Sequence, residues 1–342
     1  IIMKSKSIGA EILNKLCAEW PDVPSRTVAR MAFKQNKGVW PSIEVARSAV
    51  RYRRGRMGNS LRRKPGLDSG AYPSTAPSEP WNPDGFLPKS DEGSFEPFII
   101  DPSPKKTLRI ASLSDIHIPY HNGPALRHAI ERLRKNLPDV LLLNGDTLDF
   151  YQASRFEKDP RNRNTVSEIK LANQFLDALD DYFPKARKIW KDGNHDERYN
   201  LYAMARAPEL FEIVKEHASL DKLLELEDRG WEYVTGKRPI YAGELTILHG
   251  HEYPTPVLGP VNAARGLFLR TKAPTLTAHH HQISSHDEPT VRGVAIPTWS
   301  QGCLCWLHPE YARFNKWAHG FAEIELHSDG SFELFNHKIK LK

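Results

Sequence analysis

Five times in this chain an apolar run of strand length ends in a cluster of carboxylate, amide or imidazole side chains. Leu108 to Leu113 runs into Ser114-Asp115-Ile116-His117. Asp139 to Leu143 runs into Asn144-Gly145-Asp146-Thr147-Leu148-Asp149. Lys188 to Lys191 leads to Asp192-Gly193-Asn194-His195-Asp196, and Leu245 to Leu248 leads to His249-Gly250-His251. Thr275 to Thr277 leads to Ala278-His279-His280-His281. Helical stretches near 124–135, 165–183 and 197–217 separate these runs, so the pattern specifies an α/β fold. In open α/β sheets the carboxyl ends of the strands converge where ligands bind. The clusters can therefore meet in space although they span 167 residues.

Charge divides the chain differently. Residues 1–66 hold 15 Lys/Arg against 4 Asp/Glu, a net of +11. Residues 67–107 hold 3 against 7, a net of −4, and residues 108–342 hold 30 against 31, a net of −1. All 15 histidines lie between His117 and His337. The basic excess and the imidazoles thus belong to different parts. Residues 67–107 carry most of nine closely spaced prolines, from Pro65 to Pro104, and read as a linker or surface wrap. Trp81, Phe86, Phe95 and Phe98 predict that part of it packs on the second domain. Three cysteines, Cys17, Cys303 and Cys305, make no disulfide framework, which points to a reducing cytoplasm. No run approaches ~18 apolar residues, so no membrane partner is expected. Cys303-Leu304-Cys305 reads as strand core outside any metal site.

The N-terminal 66 residues predict a small all-α module. Helices are expected over 8–19, from Ser25, and from Ile43 to Tyr52, the last capped by Ser42. The arrangement loosely resembles a helix-turn-helix unit, without a diagnostic motif. Its basic tail contains Arg51, Arg53, Arg54, Arg56, Arg62, Arg63 and Lys64, with Tyr52 interleaved. Such a tail can neutralise phosphates, so nucleic acid is the expected partner of residues 1–66. The plainer reading is a solvated arm on a helical bundle.

The series Asp-x-His, Gly-Asp-x-x-Asp, Gly-Asn-His-Asp, His-Gly and x-His-x-His is similar to that of the calcineurin-like metallophosphoesterase superfamily, with all five blocks in family order. The resemblance covers about residues 108–285. It implies a two-sheet sandwich flanked by helices for residues 108–342, following the all-α module and the 67–107 segment. It departs from the family at Ala278, where a glycine is usual; a local backbone adjustment is expected. It implies two divalent ions, with manganese favoured and iron or zinc as alternatives. Asp115, His117 and His281 would hold the first ion, Asn194, His249 and His279 the second, and Asp146 both. His195 would occupy the general-acid or transition-state-stabilising position. Asp149 would orient it and raise its pKa. Hard carboxylate, amide and imidazole ligands suit this chemistry, in which paired cations clamp phosphoryl oxygens and acidify a water.

The C-terminal stretch predicts strands over Val291–Ile296, Gly302–Leu307, Phe321–Leu326 and Phe332–Ile339, with Asp329-Gly330 as a hairpin turn. The expected function is a metal-dependent phosphodiesterase or nuclease acting on or near nucleic acid. Metal-bound hydroxide would attack phosphorus directly, without a covalent phosphoenzyme. The second reading is a phosphomonoesterase of phosphoprotein or small molecules. A catalytically inactive DNA-binding protein is disfavoured because every ligand position is filled.

Overall fold

Val140, Leu141, Leu142 and Leu143 offer no polar face to water, and β3 (Val140–Asn144) is buried along its whole length. The computed structural model describes residues 2–36, 38–54, 95–155, 164–253 and 262–341. They form two compact units, 1–92 and 93–342. No helix among them is long and apolar enough to cross a membrane.

In the second unit, the first sheet has the order β12-β11-β2-β3-β4-β5. Its parallel core is β2 (Thr107–Leu113), β3, β4 (Arg187–Lys191) and β5 (Trp231–Val234). The antiparallel pair β11 (Gly320–His327) and β12 (Phe332–Lys338) extends it beyond β2. The second sheet has the order β1-β6-β7-β8-β10-β9. Its strands are β1 (Phe98–Ile100), β6 (Ile240–Ala242), β7 (Leu245–Ile247), β8 (Thr275–Thr277), β9 (Ser284–Pro289) and β10 (Ala295–Ser300).

The pleat of β3 decides which layer each side chain serves. Val140 and Leu142 join Ile110, Ile189, Ile240, Ile247 and Leu276 in the core between the sheets. Leu141 and Leu143 turn the other way, onto Ala129 and Leu133 of the helix Gly123–Lys135 and onto Leu176 and Leu179 of the helix Thr165–Tyr182. Each such fully buried Leu contributes ~1.5–3 kcal/mol of transfer free energy. Asn122 caps the first of these helices by accepting from Ala125 N, and Asn164 caps the second by accepting from Ser167 N. Helix Ala263–Thr271, capped by Asn262, is tied to the second sheet, where Thr298 Oγ1 donates to Ala264 O. The result is the expected α/β architecture, two mixed sheets with flanking helices.

Several boundaries differ from expectation. The unit boundary falls at 92/93, and Phe98 packs on the core between the sheets, as the wrap reading of this segment expected. Phe98–Ile100 pairs in parallel with Ile240–Ala242 as an edge strand, with Pro97 just outside it. The strand expected at Val291–Ile296 is a hairpin instead, with Ser284–Pro289 paired to Ala295–Ser300 around a turn at Gly293. Residues 302–307 form no strand; Cys303 and Cys305 make single bridges to His319 and His121. The Asp329-Gly330 turn joins β11 to β12, and Gly330 has a φ of 88°.

In the first unit, helices Ile2–Glu19, Ser25–Gln35 and Ile43–Arg53 pack around Leu13, Leu16, Val28, Ala32, Ala46 and Val50. Ser42 caps the third, accepting from Val45 N. Ser25 lies inside the second helix, whose cap position is Pro24.

Candidate metal centre

The loops that follow β2 and β3 are zippered together by main-chain bonds. Asp115 N donates to Gly145 O, His117 N to Asp146 O, Ile118 N to Thr147 O, and Asp149 N back to Ile118 O. This pairing holds Asp115, His117 and Asp146 at φ of 50°, 50° and 51°, and His279 and His281 lie at 63° and 56°. Left-handed backbone at non-glycine residues costs on the order of 1–3 kcal/mol each and persists where the surroundings over-determine it. Ala278 is not among the positive-φ residues, so this turn does not require the family's glycine. Glycine is required at 145 and 193. A Cβ on Gly145 would lie 2.3 Å from His249 Nδ1, and one on Gly193 would lie 2.2 Å from Asp146 Oδ1.

Asp146 stands at the middle. Its Oδ2 is 3.3 Å from His249 Nε2, 3.7 Å from His117 Nε2 and 4.0 Å from His195 Nε2, while Oδ1 accepts from His195 N at 2.8 Å. On one side of it, His117 Nε2 is 3.3 Å from His281 Nε2, which is 3.2 Å from Asp115 Oδ1. On the other side, His249 and His279 gather with Asp146. Two candidate ligand groups therefore share one carboxylate.

The tautomers fit. A carboxylate only accepts, so His117 donates from Nδ1 to Asp149 Oδ1 (3.0 Å), which leaves Nε2 for a cation. His249 likewise donates from Nδ1 to Asn144 O (2.8 Å). Asp115 Oδ1, Asn194 Oδ1, His249 Nε2 and His279 Nδ1 are buried without a hydrogen-bond partner among the described residues. Unsatisfied buried polar atoms cost about 1–3 kcal/mol each. Four of them within one cluster of hard donors fit divalent cations.

Charge is arranged to match. Burial opposes ionisation of Asp115, but His281 holds its pKa down at about 2. Burial likewise opposes charge on Asp146, yet His249 and His195 keep it well below the usual carboxylate range. Burial pushes His249 down, and Asp146 more than reverses this, to about 10. His279, pushed down by burial and then by the His249 charge, falls to about 3. The protons held on such imidazoles are those a divalent cation displaces on binding.

A family model for calcineurin-like phosphoesterase matches residues 108–330, the part of the chain that carries every ligand described above. The chain belongs to the calcineurin-like phosphoesterase family. The family implies divalent metal ions, and the clustered carboxylates and imidazoles are candidates to hold them. Among curated proteins it is similar to the Gene 54 protein of Mycobacterium phage L5, 26% identical over 147 residues. That alignment takes in 42% of this chain and 56% of the phage protein's length. Among solved structures, Vps29 of Cryptosporidium parvum covers 69% of this chain and 99% of its own, at 14% identity and a TM-score of 0.34. The phosphoesterase YfcE of E. coli covers 67% and 99%, at 13% identity and a TM-score of 0.32.

Asp149 does more than expected. Its Oδ1 is 3.0 Å from His195 Nδ1 as well as from His117 Nδ1, so one carboxylate orients two imidazoles. Asp149 does push the His195 pKa up, as expected, but the net shift runs the other way. Burial is the largest influence and, with the His117 charge, outweighs Asp146 and Asp149, so His195 lies below its ordinary value. His195 Nε2 accepts from Arg198 Nη2 at 2.9 Å, and Arg198 Nη1 donates to Asp149 O at 2.9 Å.

Cys305 also corrects the sequence reading. It belongs to no strand and makes only a single bridge to His121, and its Sγ is 3.7 Å from His281 Nδ1, so this cysteine does border the site. His251 faces Glu197 (3.2 Å) instead of Asp146. Four residues missed from the sequence brace the centre. Glu168 Oε1 accepts from Asp149 N and Phe150 N. Asp196 accepts from Leu148 N and Gly193 N, tying two ligand loops together. Glu252 accepts from His249 N and Gly250 N and pairs with the buried Lys191 at 3.0 Å. No periodicity marks these roles, because a charged residue on a helix or in a loop reads as solvated.

Of the basic tail, Arg56, Arg62, Arg63 and Lys64 lie outside the described residues. Arg53 donates to Asn14 Oδ1. Arg54 departs from the expected role. It is buried, and its guanidinium donates to the carbonyls of Trp20 and Val23, so it closes the helical module from within.

Proposed function

We propose that the protein is a dinuclear phosphodiesterase acting on nucleic acid. The observation that carries the dinuclear reading is the position of Asp146 between two ligand groups. Asp115, His117 and His281 would hold one ion and Asn194, His249 and His279 the other, with Asp146 shared. When bound, two divalent cations neutralise the phosphoryl oxygens and acidify a water.

The chain's own residues supply the rest. Arg198 has no carboxylate partner among the described residues; its Nη2 rests on His195 Nε2. An anionic phosphate arriving there draws this guanidinium onto its oxygens and frees His195 Nε2. The same anion favours the cationic imidazole, and Asp149 at Nδ1 stabilises it. His195 then protonates the departing ester oxygen. Manganese suits the hard oxygen and imidazole donors. The nucleic-acid reading rests on the +11 net charge of residues 1–66, which would bring phosphates near.

The test is a panel of single- and double-stranded DNA, RNA, a cyclic dinucleotide and a phosphopeptide, incubated with Mn²⁺ and the protein. Asp146→Asn and His195→Ala serve as controls. Asp146→Asn is expected to lower turnover by at least ~100-fold, since even outer partners of metal ligands cost 10–100-fold. Metal analysis is expected to show about two ions per chain in the wild type. Turnover of the phosphopeptide alone favours the monoesterase reading. Unchanged DNA affinity and salt dependence after removal of residues 1–66 refutes targeting by that module.

A further inference from the structure

We infer that the segment 306–317 is a base-stacking platform beside the metal centre, and that the substrate is a single-stranded nucleic acid with unpaired bases next to the scissile phosphate. This rests on the nucleic-acid reading above and narrows it.

The platform begins at a metal ligand. The Trp317 ring lies 4.1 Å from the His281 ring, centroid to centroid, and the Tyr311 ring lies 6.3 Å beyond Trp317. A second arm starts from His117, whose carbonyl accepts from Tyr120 N; Tyr120 and Trp306 rings are 5.9 Å apart. Trp317 is half-buried, but Trp306 is 55% and Tyr311 75% exposed. Large exposed rings cost solvation free energy, and a group of them at the rim of a reaction centre marks a binding surface.

Two features select the occupant. First, the rings are interleaved with Arg313 and Lys316, both exposed, against one carboxylate, Glu310. Aromatic rings interspersed with cations are the means by which proteins hold single strands, bases on the rings and phosphates on the charges. A duplex hides its base faces and has nothing to offer Trp306 or Tyr311. Second, the loop is built in advance. Asn315 Nδ2 donates to Leu307 O and to Ala312 O, and Asn315 Oδ1 accepts from Trp317 N. A braced loop loses little freedom on binding.

The full-length protein with Mn²⁺ is given a single-stranded DNA oligonucleotide and an abasic oligonucleotide of equal length. kcat and KM are measured for wild type, Trp306→Ala, Tyr311→Ala and Tyr311→Phe. Stacking on one ring is worth on the order of tenfold per base. The wild type is expected to prefer the base-bearing strand about tenfold or more in kcat/KM, mainly through KM. That ratio is expected to fall toward one in the alanine variants and to persist in Tyr311→Phe, which keeps the ring. Both side chains are more than half exposed, so truncation leaves the fold in place. Equal cleavage of the two strands by the wild type overturns the platform and leaves a nucleic-acid phosphodiesterase standing. So does a preference that survives both alanine variants. Cleavage of neither strand, with a bis-aryl phosphate still hydrolysed, overturns the nucleic-acid reading and the platform with it.

Discussion

Glu168→Gln should make the protein more stable at pH 8 and leave it unchanged near pH 4.5. Glu168 is 2% exposed, in the first turn of the helix Thr165–Tyr182. Its Oε1 accepts from Asp149 N at 2.9 Å and from Phe150 N at 2.6 Å, and Phe150 is held at a φ of 46°. Burial, then the Asp149 carboxylate, outweigh these donors and Arg198, and raise its pKa from 4.5 to about 7. Between those values the folded protein binds a proton that the unfolded chain does not. Stability therefore falls as pH rises through that window, and the loss is complete above pH 7. A shift of that size corresponds to about 3 kcal/mol at most. Glutamine keeps an acceptor oxygen for both amides and cannot ionise, so the variant escapes the loss. Urea unfolding of chelator-treated wild type and variant at pH 4.5, 6, 7 and 8 reads the difference, and other titrating groups cancel between the two. Curves that run parallel across this range would refute the reasoning. So would a variant less stable at pH 8, which would mean that the charged carboxylate is the form the loop needs.

Gly193→Ala places a Cβ 2.2 Å from Asp146 Oδ1 and 2.3 Å from Asp146 N. Overpacking of that kind costs about 1–3 kcal/mol, so thermal melting should fall and retained metal after dialysis should drop; native values for both would contradict the close packing. Glu252→Gln leaves Lys191, 1% exposed, without the carboxylate 3.0 Å from its Nζ. Removing one partner of a buried pair costs roughly 3–5 kcal/mol. Burial opposes charge on Glu252, but Lys191 holds it at about 2, below its ordinary 4.5. The wild type's advantage is therefore full above about pH 4.5 and shrinks as pH falls toward 2; a pH-independent difference in urea midpoints counts against it. Arg54→Ala strands the carbonyls of Trp20 and Val23 and should destabilise the helical module by about 1–3 kcal/mol; an unshifted helix-melting transition would show that Arg54 is dispensable there.

The five polar clusters were legible because each follows a short apolar run, and a strand's end is a place where the chain must turn. The resemblance to the family then named Asp115, His117, Asp146, His249, His279 and His281 within them, and the structure gathers these residues. Ser42 was legible as a cap because its hydroxyl satisfies an amide three residues on. What failed had no local signature. Phe98–Ile100 is strand because Ile240–Ala242 lies beside it, and proline-rich surroundings masked it. Arg54 read as part of a basic tail because charge runs are usually solvated, yet the turn between the first two helices presents it with two carbonyls.

The sequence alone determined the chemistry on offer: hard carboxylate and imidazole donors in fixed order, a basic module, and a neutral catalytic unit. Only the tertiary structure decided how those donors are shared. It put Asp146 between two groups and gave Asp149 to two imidazoles. It also lowered His195 where pairing alone suggested the opposite. Composition sets which groups can carry charge, whereas burial and the distance to the next charge fix whether they do, and both arise when segments far apart in sequence close on one another.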